Sequence, residues 1–273
     1  MTDLAASATA PGAAPGNGPD FVQSLARGLQ VIAAFSAEAP EMTLTEVASV
    51  TGLTRATARR FLHTLEQLGY VRSRARLFSL TPRVLELGYS YLSGLGLSDV
   101  VAPHLAQLSA ELHESASTAI LDGSDIVYIA RAAGLKIMQA QITVGTRFPA
   151  YATAMGRVLL AALPETDAAA LIAASSPSAL TRFTKTAPEE LIAELAEVRR
   201  TGYALVDEEL ELGLRSLAMP IRDSHGNVVA AINVSTGANG LTAHTLATLL
   251  PALTDASRLI EADLFRPRPP VSH

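Results

Sequence analysis

The segment TGLTRATARRFLHTLEQLGY, residues 51–70, constrains the fold most strongly because the signals that end one helix and begin another meet within it. Gly52 can adopt the left-handed conformation that ends a helix, and Thr54 has the side chain to cap the next one. That next helix is predicted over residues 55–68. Its inward face is formed by apolar residues at helical spacing, Ala58, Phe61, Leu62, Leu65 and Leu68. Its outward face carries Arg55, Ala56, Arg59, Arg60 and His63.

Two upstream helices are predicted from the same kinds of pattern. Residues 24–36 place four apolar side chains at helical spacing, Leu25, Leu29, Ile32 and Phe35. Thr43 and Glu46 have the spacing of a reciprocal capping box, which predicts a short helix from Leu44 to about Val50. Two helices joined by a short turn that includes a glycine are typical of a helix-turn-helix.

A basic hairpin is predicted after the arginine helix. YVRSRARLFSLT offers strands over 70–73 and 76–80 around a tight turn at Arg74 and Ala75. This order of elements predicts a winged helix-turn-helix, whose wing would lie along the phosphate backbone of DNA. We therefore expect double-stranded DNA to be bound by Thr54, Arg55, Ala56, Thr57, Arg59, Arg60, Arg72, Arg74 and Arg76.

Three arginines alone would favour an ordinary solvated helix face, and the order of elements with the basic hairpin is what favours DNA binding; the distribution of charge is consistent with it. The chain has 273 residues and a net charge of −5, yet residues 21–98 carry eight arginines, no lysine and five acids. A basic segment in an acidic chain indicates a small anion-binding domain joined to an acidic partner domain.

Several classes of protein are disfavoured. The chain has no cysteine, which removes disulfides, thiolate metal sites and cysteine nucleophiles and fits a reducing cytoplasm. Its six histidines form no metal-binding motif, and neither a GxSxG elbow nor a phosphate-binding loop is present. It lacks a long apolar run and a signal-peptide pattern. We expect a cytoplasmic protein without catalytic residues, metal, cofactor or membrane contact.

The remaining sequence predicts an α+β domain over 99–266, preceded by a linker helix over 82–98 that Thr81 and Pro82 begin. Residues 1–20 and 267–273 are predicted to be tails, the first one disordered. The predicted strands flank residues 122–124 and cover 136–145, 203–210, 215–222 and 228–235. The predicted helices cover 101–113, 154–163, 167–174, 186–200 and 242–264, with Thr186 and Glu189 as another capping box. This grouping indicates an antiparallel sheet with helices packed against it.

A candidate anion site lies where one of these helices begins. Thr153 could cap the helix and leave the amides of Ala154, Met155 and Gly156 free to bind an anion, although the residues alone favour a plain cap with a closely packed glycine. Downstream, the four acids of DEELELG are interpreted mostly as a solvated loop. Asn233 and Ser235 alternate with apolar residues, which fits a half-polar cavity or a solvent-facing strand.

From Phe21 onward the chain resembles the IclR family of bacterial transcription regulators. The motifs that carry the resemblance are SLARGLQVIAAFS, TRATARRFLHTLEQLGY, LTPRVLELG, GTRFPAYATAMGRVLLA and GLRSLAMPIRDSHGNVVAAINVSTG. FVQSLARGLQVI and RLFSLTPRVLELGYSYL are most similar to the subgroup that regulates aromatic-acid breakdown through the β-ketoadipate pathway.

The resemblance implies an N-terminal winged helix, a C-terminal effector domain related to GAF and PAS folds, and assembly as a homodimer or a dimer of dimers. It implies a small carboxylate effector such as protocatechuate, 4-hydroxybenzoate or β-ketoadipate. It places at the effector pocket Thr153, Ala154, Met155, Gly156, Ser216, Asn233 and Ser235. Other members have a cysteine in the pocket, whereas this chain has Ser216 after Arg215, so the effector's identity does not transfer. The alternative hypothesis is a small-molecule sensor or enzyme whose helix-turn-helix mediates protein contacts.

Overall fold

A computed structural model describes residues 20–36, 38–88, 97–134, 142–237 and 243–265, with side chains in the last range described from residue 249. The chain divides into two compact units, Met1–Ser90 and Tyr91–His273. The domain limits at 21–81, 82–98 and 99–266 remain predictions, and both predicted tails lie outside the described residues apart from Asp20. Within the described ranges, no helix is long and apolar enough to span a bilayer.

The N-terminal unit is a winged helix-turn-helix, as predicted. Its elements are α1 (Gln23–Ala33), β1 (Glu41–Thr43), α2 (Leu44–Thr51), α3 (Arg55–Gln67), β2 (Val71–Arg74) and β3 (Leu77–Leu80). The three strands pair in the order β1-β3-β2, and both pairings are antiparallel. β1 was not predicted because three residues are too few to display an alternating pattern.

The predicted helix ends are confirmed. The Thr43 hydroxyl accepts from the Glu46 amide at 3.3 Å, and the Glu46 carboxylate accepts from the Thr43 amide at 2.7 Å, which completes the capping box. Gly52 ends α2 in the left-handed conformation at φ 65°. Thr54 then begins α3 by accepting from the Thr57 amide at 3.2 Å.

The core of this unit differs from the prediction at the start of α1. Val31 and Phe35 are buried, whereas Leu25 and Leu29 are 63% and 52% exposed. The buried contacts of α1 therefore lie towards its C-terminal end, and helical spacing alone does not reveal which part of an amphipathic helix reaches the core. Leu68, expected on the inward face of α3, is also exposed.

The turn of the basic hairpin lies one residue later than predicted, at Ala75 and Arg76. Both residues have positive φ, 51° and 70°, as the two central positions of a type I′ turn require. This register pairs Val71 with Leu80 and buries Val71. The turn lacks the Asn-Gly signal that usually marks this geometry, which explains the error.

The C-terminal unit is an α+β sandwich, which confirms the predicted fold class. Its elements are α4 (Leu97–Leu112), β4 (Ser115–Asp122), β5 (Asp125–Ala132), β6 (Arg147–Pro149), α5 (Ala154–Ala161), α6 (Glu165–Ser175), α7 (Pro188–Thr201), β7 (Ala204–Asp207), β8 (Leu214–Arg222), β9 (Val228–Gly237) and α8 (Ala243–Leu264). The antiparallel sheet has the order β6-β5-β4-β9-β8-β7. One apolar core joins the sheet to α4 and α8, and another joins it to α5, α6 and α7.

Three local predictions change. The strand predicted over 136–145 falls mostly outside the described residues. The described strand next to β5 at that edge of the sheet is β6. The Thr186–Glu189 capping box is wrong because Ala187 occupies the cap position without a side-chain bond and Pro188 begins α7. The linker helix begins as a 3-10 turn, Pro82–Val84, capped by Thr81 as expected, and continues over 85–88; its remainder lies outside the described residues.

Candidate DNA interface and effector site

The outward face of α3 is an exposed cationic surface. Arg55, Arg59 and Arg60 are all exposed, while Ala58 and Leu62 on the opposite face are fully buried and fix the rotation of the helix. Their guanidinium groups make no ion pair or hydrogen bond with another described residue. They are therefore available to phosphates or base edges.

The N-terminus of α3 presents small polar residues beside these arginines. The hydroxyl oxygens of Thr54 and Thr57 are 2.9 Å apart, and Ala56 between them is exposed. Small residues at this end allow close approach of a second backbone. The arrangement is that of a recognition helix, whose N-terminal residues reach base edges in the major groove.

The wing supplies three more arginines in different settings. Arg72 and Arg74 are two residues apart on β2 and share one face of the hairpin. The Arg72 Nε donates to the Ser79 hydroxyl at 3.0 Å, so part of that guanidinium is already used. Within the described part of the chain, the guanidinium groups of Arg74 and Arg76 have no bonded partner. The positive charge of the wing that is most available to a phosphate is thus at its tip.

Arg83, which sequence reasoning did not single out, ties the wing to α3. Its Nη1 donates to the Leu68 carbonyl at 2.8 Å, and its guanidinium carbon lies 5.3 Å from the centre of the Tyr70 ring. Its Nε also approaches the Glu86 carboxylate at 3.4 Å. The charge of Arg83 is thus used inside the protein, and no local motif distinguishes it from the arginines that were predicted to bind DNA.

A small cavity lies at the N-terminus of α5 in the C-terminal unit. It is about 20 Å³, room for roughly one water molecule. Six of the seven predicted effector residues line it, namely Thr153, Ala154, Met155, Ser216, Asn233 and Ser235. Gly156 does not. The other lining residues are Tyr128, Ile142, Ala152, Val206, Leu210 and Leu214, which make most of the wall apolar.

Two residues at the start of α5, Ala154 and Met155, line this cavity. The Thr153 hydroxyl accepts from the Gly156 amide at 3.0 Å, so the prediction of three free amides is wrong for Gly156. Nothing in the described part of the chain accepts a hydrogen bond from the amides of Ala154 and Met155. Both residues are only 1% exposed. Two buried donors at the positive end of a helix favour a bound anion.

Gly156 has a packing role. A Cβ atom at this position would lie 2.1 Å from the Ala150 carbonyl oxygen and 2.4 Å from the Ala150 Cα. The glycine therefore lets the preceding 3-10 turn, Ala150–Ala152, pack directly on α5. Gly156 lies outside the cavity lining, which favours the interpretation of a closely packed glycine over contact with an effector.

Ser216, Asn233 and Ser235 form the polar wall of the cavity. Ser216 and Ser235 are cross-strand partners whose hydroxyl oxygens lie 2.7 Å apart, and the Asn233 Nδ2 donates to the Ser235 hydroxyl at 2.9 Å. Asn233 is 3% exposed, so the solvent-facing interpretation is wrong. Its Oδ1 is buried and has no hydrogen-bond partner among the described residues. The wall can thus bond a further polar group.

Tyr128 contributes a ring to the cavity that the sequence did not point to. Its ring meets that of Phe148 edge to face, with centroids 5.9 Å apart. Burial raises the pKa of the Tyr128 phenol to about 12, while the charge of Arg131 acts weakly in the opposite direction. The phenol is therefore neutral at physiological pH and suits an aromatic or apolar ligand surface.

The acids of DEELELG are less solvated than predicted. Asp207 pairs with Arg215, which raises the pKa of that guanidinium, and the Glu208 carboxylate accepts from the Gly213 amide at 2.9 Å. Glu209 is 4% exposed and pairs with the buried Arg157 at 2.6 Å. Charged residues in a loop give no sequence signal of burial when their partner lies about fifty positions away.

A larger groove, about 720 Å³, lies at the opposite end of α5. Two arginines line it, Arg199 and Arg222. The Arg199 Nε donates to the Ala161 carbonyl at 2.8 Å, and the Arg222 Nη1 donates to the Gly226 carbonyl at 3.0 Å. Both cations thus bind backbone carbonyls that would otherwise need partners, so we assign them a structural role. Within the described ranges, no group of three His, Asp or Glu residues is placed to hold a metal ion.

Two protein families match the chain along most of its length. The family described as the IclR helix-turn-helix domain matches residues 24–75, and the family described as the bacterial transcriptional regulator IclR C-terminal domain matches residues 89–262. The Pca regulon regulatory protein of Pseudomonas putida is 45% identical over 249 residues, covering 90% of this chain and 86% of that protein. The p-hydroxybenzoate hydroxylase transcriptional activator of Acinetobacter baylyi is 35% identical, covering 81% and 83%. These relatives are regulators, which agrees with the expectation that the chain is not an enzyme.

Solved structures have the same fold. A transcriptional regulator from Rhodococcus sp. RHA1 is 53% identical with a TM-score of 0.79, covering 89% of this chain and 98% of that one. An IclR homologue from Microbacterium hydrocarbonoxydans, complexed with 4-hydroxybenzoate, is 26% identical with a TM-score of 0.78, covering 88% and 98%.

Proposed function

The chain belongs to the IclR family of bacterial transcriptional regulators, and we propose that it controls genes of aromatic-acid breakdown in response to a small carboxylate effector. The observation that carries this proposal is the cavity at α5, whose lining combines the buried residues Ala154 and Met155 at the helix N-terminus with the polar side chains of Ser216, Asn233 and Ser235. Protocatechuate, 4-hydroxybenzoate and β-ketoadipate are the candidate effectors. A regulator of this kind acts in the cytoplasm, where the chromosome lies.

The DNA-binding residues are proposed to be Thr54, Arg55, Ala56, Thr57, Arg59 and Arg60 on the recognition helix, with Arg72, Arg74 and Arg76 on the wing. Replacing Arg59 with Ala is expected to weaken operator binding and leave effector affinity intact, since the guanidinium has no structural partner. Arg200→Ala is the matched control because Arg200 is an exposed arginine paired with Glu197 in the other unit. Equal operator affinity of R59A and wild type in a gel-shift titration would reject the assignment.

The effector is expected to place its carboxylate on the amides of Ala154 and Met155 and its remaining polar groups on Ser216, Asn233 and Ser235. A ligand that binds only the folded protein raises the unfolding temperature. A thermal-shift screen with the three candidate acids, with benzoate and adipate as simpler analogues, tests this directly. A rise with at least one candidate supports the proposal, and no rise with any of them rejects the proposed effector class.

The regulator is proposed to act as a homodimer or a dimer of dimers. Three apolar side chains at the start of α1 are more than half exposed, Val22, Leu25 and Leu29, and so is the apolar pair Leu85 and Leu87 after the wing. Exposed apolar side chains grouped in this way favour contact with a second copy. A dimer would read two half-sites about one helical turn apart, or a multiple of that spacing. Light scattering tests this, and a monomer at micromolar concentration on operator DNA would reject it.

A further inference from the structure

Arg157 is a buried cation beside the effector cavity that the proposed function does not use. It lies on α5, three residues after Ala154, and is 1% exposed. Its Nη2 donates to the Glu209 carboxylate at 2.6 Å, and its Nε donates to the Tyr151 carbonyl at 3.0 Å. The guanidinium thus joins the helix that begins at the cavity to the loop between β7 and β8.

The ionic cluster around Arg157 is electrically balanced. The Arg157 Nη1 also approaches the Glu194 carboxylate at 3.4 Å, and Lys185 pairs with the other oxygen of Glu194. Two cations therefore face two carboxylates, Glu194 and Glu209. Because the cluster has no net charge to attract an anion, its role is to fix positions.

The loop Glu208–Gly213 is anchored at its first two residues. Glu209 also accepts from the Lys185 amide at 3.0 Å, and its own carbonyl accepts from the Thr184 hydroxyl at 2.6 Å. The Glu208 carbonyl accepts from the Thr181 hydroxyl at 2.7 Å. Glu208 has a positive φ of 56°, a conformation that a non-glycine residue holds only where its surroundings fix it.

The same loop carries one wall of the effector cavity. Leu210, directly after Glu209, lines the cavity together with Leu214. A space of about 20 Å³ is too small for a carboxylic acid of several carbons, so part of the wall must move to admit one. Thr153 and Met155 belong to the start of α5, and Ser216 and Asn233 lie on paired strands. Leu210 and Ile142 are lining residues that lie outside helices and strands, and Ile142 is buried whereas Leu210 is partly exposed. Leu210 is therefore the wall that moves at least cost.

We propose that the loop Glu208–Gly213 is the lid of the effector cavity and that the Arg157–Glu209 ion pair is the anchor that limits its opening. The inference rests on the proposed effector function of this cavity. Arg157 and Glu209 are positioning residues, since neither lines the cavity. A buried ion pair suits this role because breaking it is costly while its geometry is specific.

The test compares Glu209→Gln with Glu211→Gln, in the full-length protein. Both changes remove one negative charge from the lid, but the Glu211 carboxylate has no hydrogen bond to another described residue. The chain has no tryptophan, so Leu212→Trp at an exposed lid position gives each protein a single fluorescent reporter. With 4-hydroxybenzoate, protocatechuate and β-ketoadipate as probes, E209Q is expected to bind and release the acid about tenfold faster than wild type, because a charge-assisted bond is lost. E211Q should keep the wild-type rates.

Hydrogen exchange gives a second measure that needs no ligand. The amides of residues 208–214 should exchange faster in E209Q and at the wild-type rate in E211Q. If E209Q does not fold, the double variant R157M/E209L removes the pair without leaving a buried lone charge, while Lys185 keeps Glu194 as its partner. That double variant should show the same faster rates.

The proposed anchor is rejected if the folded variant that lacks the ion pair binds the acids at the wild-type rates. It is also rejected if the lid amides of that variant exchange at the wild-type rate. If the wild-type protein binds none of the three acids, the proposed effector function fails instead. In that case the exchange of residues 208–214 still decides whether the ion pair anchors the loop.

Discussion

Ser216 and Ser235 lie opposite each other on β8 and β9, with their hydroxyl oxygens 2.7 Å apart on the polar wall of the cavity at the start of α5. Ser235 also accepts from the Asn233 amide group. The three side chains therefore act as one hydrogen-bonded unit. Because Ser216 stands at its end, it can be removed while the Asn233 Nδ2 keeps its bond to Ser235.

Ser216→Ala is expected to weaken binding of 4-hydroxybenzoate by about three- to tenfold, the loss of one hydrogen bond. The unfolding temperature should change little because Ser216 is only partly buried. Ser224→Ala, an exposed serine on the β8–β9 hairpin, is the control and should bind like wild type. Isothermal titration measures both, and equal affinity of all three proteins would remove Ser216 from the site.

Gly156→Ala is expected to destabilise the C-terminal unit by about 1–3 kcal/mol or more, because the added Cβ would overlap the Ala150 carbonyl. Gly28→Ala is the matched control. Gly28 lies inside α1, where a Cβ meets only Phe61 at an ordinary 3.8 Å and alanine favours the helix. Chemical denaturation should give a lower unfolding free energy for G156A alone. A G156A protein as stable as G28A would contradict the packing role.

The wing is expected to contact phosphates through the tip of its turn. Arg76→Gly removes a charge at a position whose positive φ glycine adopts without strain, and it should lower the salt slope of operator binding by up to about 0.9. Ala75→Gly changes the same turn without changing charge and should keep the wild-type slope. A slope that stays the same in R76G would mean that this residue does not touch DNA.

The Tyr128 phenol makes stability depend on alkaline pH. Its pKa is raised from an ordinary value of 10 to about 12, so the neutral form is favoured in the folded protein. The resulting stability is complete below pH 10 and is lost as pH rises towards 12, up to roughly 2–3 kcal/mol. The Tyr128→Phe variant lacks this phenol, so its unfolding free energy should fall less than that of wild type between pH 8 and 11. All other titrating groups are the same in the two proteins, so their contributions cancel in the comparison. Parallel losses in both proteins would contradict the raised pKa of this buried phenol.

Local signals in the sequence were sufficient for the helix ends of the N-terminal unit. The Thr43–Glu46 capping box, Gly52 and the Thr54 cap each depend on residues within a few positions of one another. A short stretch of sequence is therefore enough to predict these helix ends. The hairpin turn at Ala75 and Arg76 was misplaced because neither residue is the usual choice for a left-handed conformation.

The effector site could be predicted only in part because its geometry depends on distant contacts. The cap at Thr153 is local, yet the closeness of Gly156 to Ala150 depends on how a 3-10 turn folds back on α5. The burial of Glu209 depends on Arg157, fifty-two positions earlier in the chain. No periodicity within a single element contains that information.

Isothermal titration of each candidate acid and its methyl ester against the wild-type protein tests most directly whether a carboxylate binds at the start of α5. The amides of Ala154 and Met155 are proposed to hold a carboxylate, and charge-assisted bonds are worth more than neutral ones. We predict that at least one acid binds tenfold or more tightly than its ester, by the usual magnitude of about 1.5–3 kcal/mol. An ester that binds as tightly as its acid would contradict the anion site at the start of α5.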